Sequence, residues 1–380
     1  MVMTVGKEKV FIIAIVCLAI AGAAERAPAE ERKWTIEDVQ RGITSSIALD
    51  EAQNLHIAYL GHDASVYYGF RSRNSTRWFT VSVAPSSVTH GTHNIYPRVT
   101  TDRSNFPHLC VLTGTLNYIT SRGGHWVMEQ VDAGSGTLSY HCSVAIAPDG
   151  SPHLTWYHEF LPGGKQYSHM RHASMEEGVW VVRSVDGGIS GKWNSMAIDS
   201  KGVPHVSYSQ WSGGGGLRYA VWDGTRWSIA DVDSGEGIGY DNDLVLASDK
   251  TPHISYFDQT TLKHAYLKDQ KWIIENVAVV RDGYDFYGAT TAMLLDSKGR
   301  PHIVFGDFGG VKEASWDGKK WQTQVITSGG LEQYFNVSAV MGPDDTLYVS
   351  YPDPEDGMVK VATGKIMAAA TTAKNTDTPH

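Results

Sequence analysis

The sequence predicts an all-β chain, a seven-bladed β-propeller of four-stranded antiparallel blades with the last blade closed by the N-terminal strand. Three observations predict it. A short phrase ending in His recurs along the chain, a tryptophan recurs in step with it, and the segments between are short apolar runs punctuated by glycine-containing turns.

The phrase reads Asn54-Leu55-His56, Phe106-Pro107-His108, Ser151-Pro152-His153, Val203-Pro204-His205, Thr251-Pro252-His253 and Arg300-Pro301-His302, with Thr346-Leu347-Tyr348 as a degenerate seventh copy. From His56 to Tyr348 the steps are 52, 45, 52, 48, 49 and 46 residues, one blade each. An acid often stands six positions earlier, as at Asp50, Asp102, Asp199 and Asp296. Within each copy, apolar or alternating runs between Asp/Ser/Gly turns read as four strands. Asp223-Gly224 and Asp317-Gly318 supply the positive φ that a tight hairpin needs.

Trp78, Trp126, Trp180, Trp227, Trp272 and Trp321 each open a fourth strand, and each has an aliphatic residue five positions on, from Val83 to Ile326. The seventh copy has strands near 337–341, 346–351 and 358–363 and then lacks its Trp strand. Trp34, followed five residues later by Val39, supplies that strand from the other end of the chain. A blade shared by the two ends leaves no open edge. The propeller is therefore expected over residues 33–364. The repeated histidines are expected to be structural, packed and bonded to a neighbouring blade's backbone, because equivalent positions lie a whole sheet apart and cannot converge on one ion. The tryptophans are expected in the inter-blade core.

The ends of the chain carry a different kind of signal. Lys7 and Lys9 precede an apolar run from Val10 to Ala24 that closes on small residues, the pattern of a cleaved signal peptide over residues 1–24. The run is shorter than the roughly 20 residues a spanning helix needs. Secretion to an extracellular or periplasmic space is expected, with no integral span after cleavage. Residues 365–380, rich in Ala and Thr, read as a disordered tail. Cys110 and Cys142 then remain, as a disulfide or as two buried thiols, and spacing does not decide between them. A net charge of −9 removes the electrostatic basis for nucleic-acid binding. Charged residues at 19% and hydrophobic ones at 42% exclude a disordered chain and a polytopic membrane protein. A monomer is expected.

In a repeat scaffold the informative residues are those that break the repeat. Loops from strand d to the next strand a, and from b to c, converge on one face around the central channel. The d–a loops entering blades 2 to 4 bring His90, His93, Asn94 and Tyr96, then Tyr140 and His141, then Trp193. Those entering blades 5 to 7 bring Tyr240 and Asp241, then Tyr284 to Tyr287, then Tyr334 and Phe335. Where strand b ends stand His158, Gln210, Asp258 and Asp307. Aromatic faces beside fixed polar groups suit a sugar, so Tyr96, Trp193, Gln210, Asp241, Asp258 and Asp307 are candidate ligand contacts. His93, Tyr140, His141 and His158 are candidate acid–base residues. No cofactor is implied; a divalent cation at the channel mouth would need carboxylates to join these histidines. There is no G-x-S-x-G elbow, no HExxH and no C-x-x-C, and Gly213–Gly216 reads as the b–c turn of blade 4. The sequence thus predicts a binder of a glycan or other extracellular ligand. A polysaccharide lyase, a glycoside hydrolase and a protein-interaction scaffold are the alternatives.

On these repeats the chain resembles the secreted seven-bladed propellers, distantly the sialidase-type (BNR-like) ones. It departs from their Asp-box, S/T-x-D-x-G-x-x-W, because Ser315-Trp316-Asp317-Gly318-Lys319-Lys320-Trp321 is one residue shorter. Sialidase activity therefore does not follow. In having His93-Asn94 before blade 2, with Tyr157 and Arg171 one blade later, the chain is similar to propeller-fold polysaccharide lyases, ulvan lyases among them. That resemblance implies a His and a Tyr that move a proton and an Arg that neutralises the uronate.

Overall fold

The computed structural model of the chain describes residues 32–89, 95–132, 141–160, 167–187, 190–211, 214–280, 291–307, 309–329 and 336–366. The expected signal peptide, most of the expected tail, and His90, His93, Asn94, Tyr140 and the loop aromatics 284–287 and 334–335 lie outside these residues. Seven four-stranded antiparallel sheets form the blades, each running a-b-c-d in chain order except the last. Blades 1 to 6 span 44–84, 98–132, 142–186, 190–234, 238–279 and 291–327. Blade 7 takes three strands from 338–366 and its outer strand from Arg32–Arg41. The single helix among the described residues is the one-turn Ser86–Thr89 in the loop between blades 1 and 2.

Burial explains the sequence pattern strand by strand. Strand b is sandwiched between two neighbouring blades, so Leu55–Leu60 and Pro107–Leu112 are buried at every position. Strand d forms the outer rim, so Trp321–Thr327 is partly buried or exposed except at Ile326. The seven hydrophobic clusters lie largely between blades; one joins Tyr68 and Val66 of blade 1 to Leu109 and Val111 of blade 2.

The repeated histidines are structural, but their partners differ from the expected ones. Each bonds within its own blade instead of to a neighbour's backbone. His56 Nε2 meets Asp50 Oδ2 at 3.1 Å, and the Tyr68 hydroxyl lies 2.7 Å from His56 Nδ1. Asp50 is fixed because it also closes the a–b turn, accepting from the Asn54 amide at 2.7 Å. The strand-c ring then packs on the next blade's tryptophan, Tyr68 on Trp126 at 4.8 Å between centroids. The same relay runs from His205 through Tyr219 to Trp272. In blades 3 and 5 a second histidine replaces the tyrosine, giving His153–His172 and His253–His264, each at 3.0 Å.

The seam between first and last strands follows the sequence prediction and adds a charged lock. Residues 32–41 pair antiparallel with Met358–Ile366, Trp34 opposite Gly364. Gly364 is required there: a Cβ would come within 2.6 Å of the Trp34 ring. Arg32, just outside the expected boundary, is the anchor. Its Nε donates to both carboxylate oxygens of Glu313 in blade 6 at 3.1 Å, and its Nη1 reaches the carbonyls of Asp345 and Gly364 in blade 7. On the other side, Glu37 takes the Trp78 indole N–H and an ion pair from Arg71 of blade 1.

Cys110 and Cys142 form a disulfide between strand b of blade 2 and strand a of blade 3, with Cα atoms 6.3 Å apart and a sequence separation of 32. The chain-entropy model gives such a loop roughly 4 kcal/mol. The double substitution C110A/C142A should lower the denaturant unfolding free energy by about that amount, and an unchanged midpoint would show the bond to be idle.

Candidate functional site

The loop face is built on corners that hold non-glycine residues in left-handed backbone. Trp193 and Asp241 have φ of 48° and 47°, a conformation that costs on the order of 1–3 kcal/mol and persists only where neighbours hold it. The holding groups are visible. Asn242 Nδ2 donates to the carbonyls of Trp193 and Gly239 at 2.6 and 3.0 Å. Asn194 Nδ2 makes the longer equivalent bonds to His141 and Gly191 at 3.3 and 3.4 Å. In blade 3 the position of these asparagines is taken by Cys142, so the disulfide replaces the amide clamp. His141 and Trp193 are thus each held by the blade that follows.

These corners join the predicted aromatics of blades 2 to 5 into one arc. Tyr96 bridges to His141 and stacks on it at 4.7 Å between ring centroids. His141 leads to Trp193 at 6.5 Å, and Trp193 packs on Tyr240 at 4.6 Å. Trp211 stacks on Trp193 at 5.6 Å and meets Tyr240 at 5.8 Å. Tyr96 and Trp193 are buried, whereas Trp211 is 43% exposed and offers the arc's accessible face. Sequence reasoning missed Trp211. Its signal was there: a tryptophan directly after Gln210, out of phase with the repeat tryptophans.

The ends of strand b divide differently. Asp258 and Asp307 are ion-paired within their own b–c hairpins, to Lys263 at 2.6 Å and Lys312 at 2.5 Å. Asp353 repeats the arrangement with Lys360 at 2.9 Å. Gln210 is partly buried opposite Gly216. In blade 3, His158 occupies this position, 3.8 Å from Asp132 of blade 2, while Arg171 donates to the same carboxylate oxygen at 3.2 Å. Burial first, then the Arg171 charge, pushes the His158 imidazole below its ordinary range, so it is neutral at neutral pH. His158 pairs with His169, and Arg171 with Trp156 two register positions away on the same face. Tyr157 points to the opposite face of the sheet, as strand alternation requires, and is buried. His158 and Arg171 are therefore brought together, and Tyr157 is not brought to them. His93 and Tyr140 lie outside the described residues.

Among the described residues, no group of three His, Cys, Asp or Glu side chains is gathered as a metal site would need. The axis holds a cavity of about 550 Å³ walled by the innermost strands. Arg98 of blade 2 and Asp243 of blade 5 are its charged wall residues. Burial lowers the pKa of the Arg98 guanidinium and raises that of the Asp243 carboxyl, each against the other's charge.

No protein-family model matches the sequence, and no curated protein does. Solved structures do match. An ulvan lyase bound to -[GlcA(1-4)Rha3S]- is 11% identical, with a TM-score of 0.59 over 87% of this chain and 95% of that one. The Aleuria aurantia lectin in complex with Fucα1-6GlcNAc is 14% identical, with a TM-score of 0.50 over 77% of this chain and 99% of that one. A Trypanosoma rangeli sialidase is 11% identical, with a TM-score of 0.45 over 87% of this chain and 54% of that one. The likeness is one of fold.

Proposed function

We propose that this propeller binds a carbohydrate on the loop face of blades 2 to 5, as a secreted protein acting outside the cell. The observation that carries the reading is the arc from Tyr96 to Trp211, continuous across four blades and open at Trp211. An exposed indole backed by a second indole and a phenol is a rigid platform for the C–H face of a sugar ring. The imidazole of His141 and the amide of Gln210 lie in the same sector and suit hydroxyls. Both ulvan lyase and lectin structures above contain saccharides, which agrees with this use of the architecture.

A second reading, uronate β-elimination, is favoured by one observation. A neutral His158 beside the cationic Arg171 is the pairing that proton abstraction next to a carboxylate requires. One experiment separates the two. The purified protein is screened on a glycan array, and its tryptophan fluorescence is followed with each hit while product absorbance of uronate polysaccharides is monitored. Saturable quenching without absorbance growth is expected. Growth of unsaturated-product absorbance would make the lyase reading correct, and neither signal on any glycan would overturn both.

A further inference from the structure

Boundaries between blades repeatedly bring together two positions: the residue two places after a repeat His or Tyr, and the residue eleven places before the next one. The fold accepts several solutions there. Ser350 meets Ser45 hydroxyl to hydroxyl at 3.1 Å, Ser255 meets Thr291 in the same way, and Val304 and Val337 share an apolar cluster. Asparagine takes the second position only in blades 4 and 5, as Asn194 and Asn242, beside Trp193 and Tyr240 of the aromatic arc. A hydroxyl or a valine closes the boundary elsewhere, so the amides answer a need other than the packing of blades.

That need is visible at Trp193. The residue stands in a bulge, between Lys192 opposite Ser209 and Asn194 opposite Tyr208, where the strand bends and a side chain is re-aimed. Asn242 reaches it from the next blade. Its Nδ2 donates to the Trp193 carbonyl at 2.6 Å and to the Gly239 carbonyl, next to Tyr240, at 3.0 Å. The amide has one orientation, because two carbonyls face its nitrogen and the Ser207 hydroxyl donates to its Oδ1 at 2.6 Å. Ser207, Asn242 and Trp193 are all buried. One side chain thus fixes the backbone beneath two rings, and these are the rings that Trp211 meets, Trp193 at 5.6 Å and Tyr240 at 5.8 Å.

We propose that Asn242 is a positioning residue for the ligand platform: it holds Trp193 and Tyr240 where they back Trp211, and so sets affinity without touching the ligand. At 5% exposure it is out of a ligand's reach. Rings locked by a buried hydrogen-bond network are ordered before the ligand arrives, so less of the binding energy is lost in ordering them. The effect on affinity rests on the carbohydrate reading above; the placing of the rings does not.

The test uses N242T, which installs the hydroxyl that blade 6 carries at Thr291 and so is expected to fold. Two readouts are taken in the wild type and in N242T, each with and without W211A. The first needs no ligand: the exciton couplet of the stacked Trp193 and Trp211 indoles, isolated in circular dichroism as the difference that W211A makes. N242T should lose at least half of it. The second is the dissociation constant of an array-identified glycan, which N242T should raise at least fivefold, and most of that loss should vanish once Trp211 is already removed. A merely structural role would lower the thermal midpoint and leave both readouts of the folded protein unchanged. That result would overturn the proposal, as would an undiminished loss of affinity in the W211A background. Should N242T not fold, S207A, which frees the amide to turn, is expected to move both readouts in the same direction, and unchanged values there would overturn it. If no glycan binds the wild type, the carbohydrate reading fails, and the couplet alone decides whether Asn242 positions the rings.

Discussion

Removal of residues 32–41 is expected to yield an aggregating protein. The deletion leaves blade 7 with three strands and exposes the whole hydrogen-bonding edge of Met358–Ile366, the kind of unpaired edge that templates association. It also uncovers Val359 and Val361, which pack with Val39 in the cluster closing the ring. A milder version isolates the lock. In R32M the strand remains but buried Glu313 loses its cation, although it keeps the His302 bond at 2.8 Å. Breaking a buried pair from one side costs about 3–5 kcal/mol, so the unfolding free energy of R32M should fall by that amount. A soluble deletion variant of wild-type stability would refute the closure of blade 7 by the N-terminal strand.

Acid should unfold this protein earlier than its carboxylates alone would. Burial pushes His56, His108, His153, His172, His205 and His253 below the ordinary imidazole range, with His172 taken down to about 3 and His253 to about 4. A histidine whose folded pKa is depressed binds its proton more readily when unfolded. Its contribution is fully present above the unfolded value near 6.5 and is lost as pH falls toward the folded value. One site runs the other way. Burial lowers His302, but the carboxylates of Asp296 and Glu313 outweigh it and raise the pKa, so its contribution is present below 6.5 and lost as pH rises through the folded value. Among these relay histidines, six against one decides the sign. The thermal midpoint should be nearly flat above pH 7 and fall steeply between pH 6.5 and 4. The loss is on the order of several kcal/mol, because each tenfold difference in proton affinity between the folded and unfolded chain is worth about 1.4 kcal/mol. The His–His pairs supply the largest share, because His172 and His253 are the most depressed, whereas blades 1, 2 and 4 use Tyr68, Tyr118 and Tyr219 in that place. The double variant H172Y/H264Y should keep its neutral-pH stability and lose a third or more of the acid slope. An unchanged slope would move the acid sensitivity elsewhere.

The repeat was legible because every blade solves the same packing problem, and a solution repeated seven times leaves a period. The pairing of Trp34 with Val39 identified the closing strand for the same reason. The histidine partners were half legible: Asp50, Asp102, Asp199 and Asp296 stood six residues upstream, yet the strand-c rings become neighbours only once the sheet forms. Arg32 and Glu313 lie 281 residues apart, and nothing local to either signals the pair. The site shows the same limit. Tyr96, His141, Trp193 and Tyr240 could be sorted to one face by loop class, but their stacking order depends on corners set by Asn194, Asn242 and the disulfide. Trp211 was obscured by its place at a strand end beside a glycine run.

The central claim is that ligand binding belongs to the loop face of blades 2 to 5. Its most direct test is the binding isotherm of one array-identified glycan on four proteins: wild type, W211A, D223A and D317A. Trp211 is accessible, so its removal should leave the fold intact and weaken binding at least tenfold, about 1.4 kcal/mol of lost stacking. Asp223 and Asp317 cap the c–d hairpins on the opposite face, bonding the amides of Thr225 and Lys319 at 2.8 Å, and their alanine variants should bind as the wild type does. Full affinity in W211A together with loss in D223A or D317A would contradict the account and place the functional face on the other side of the ring.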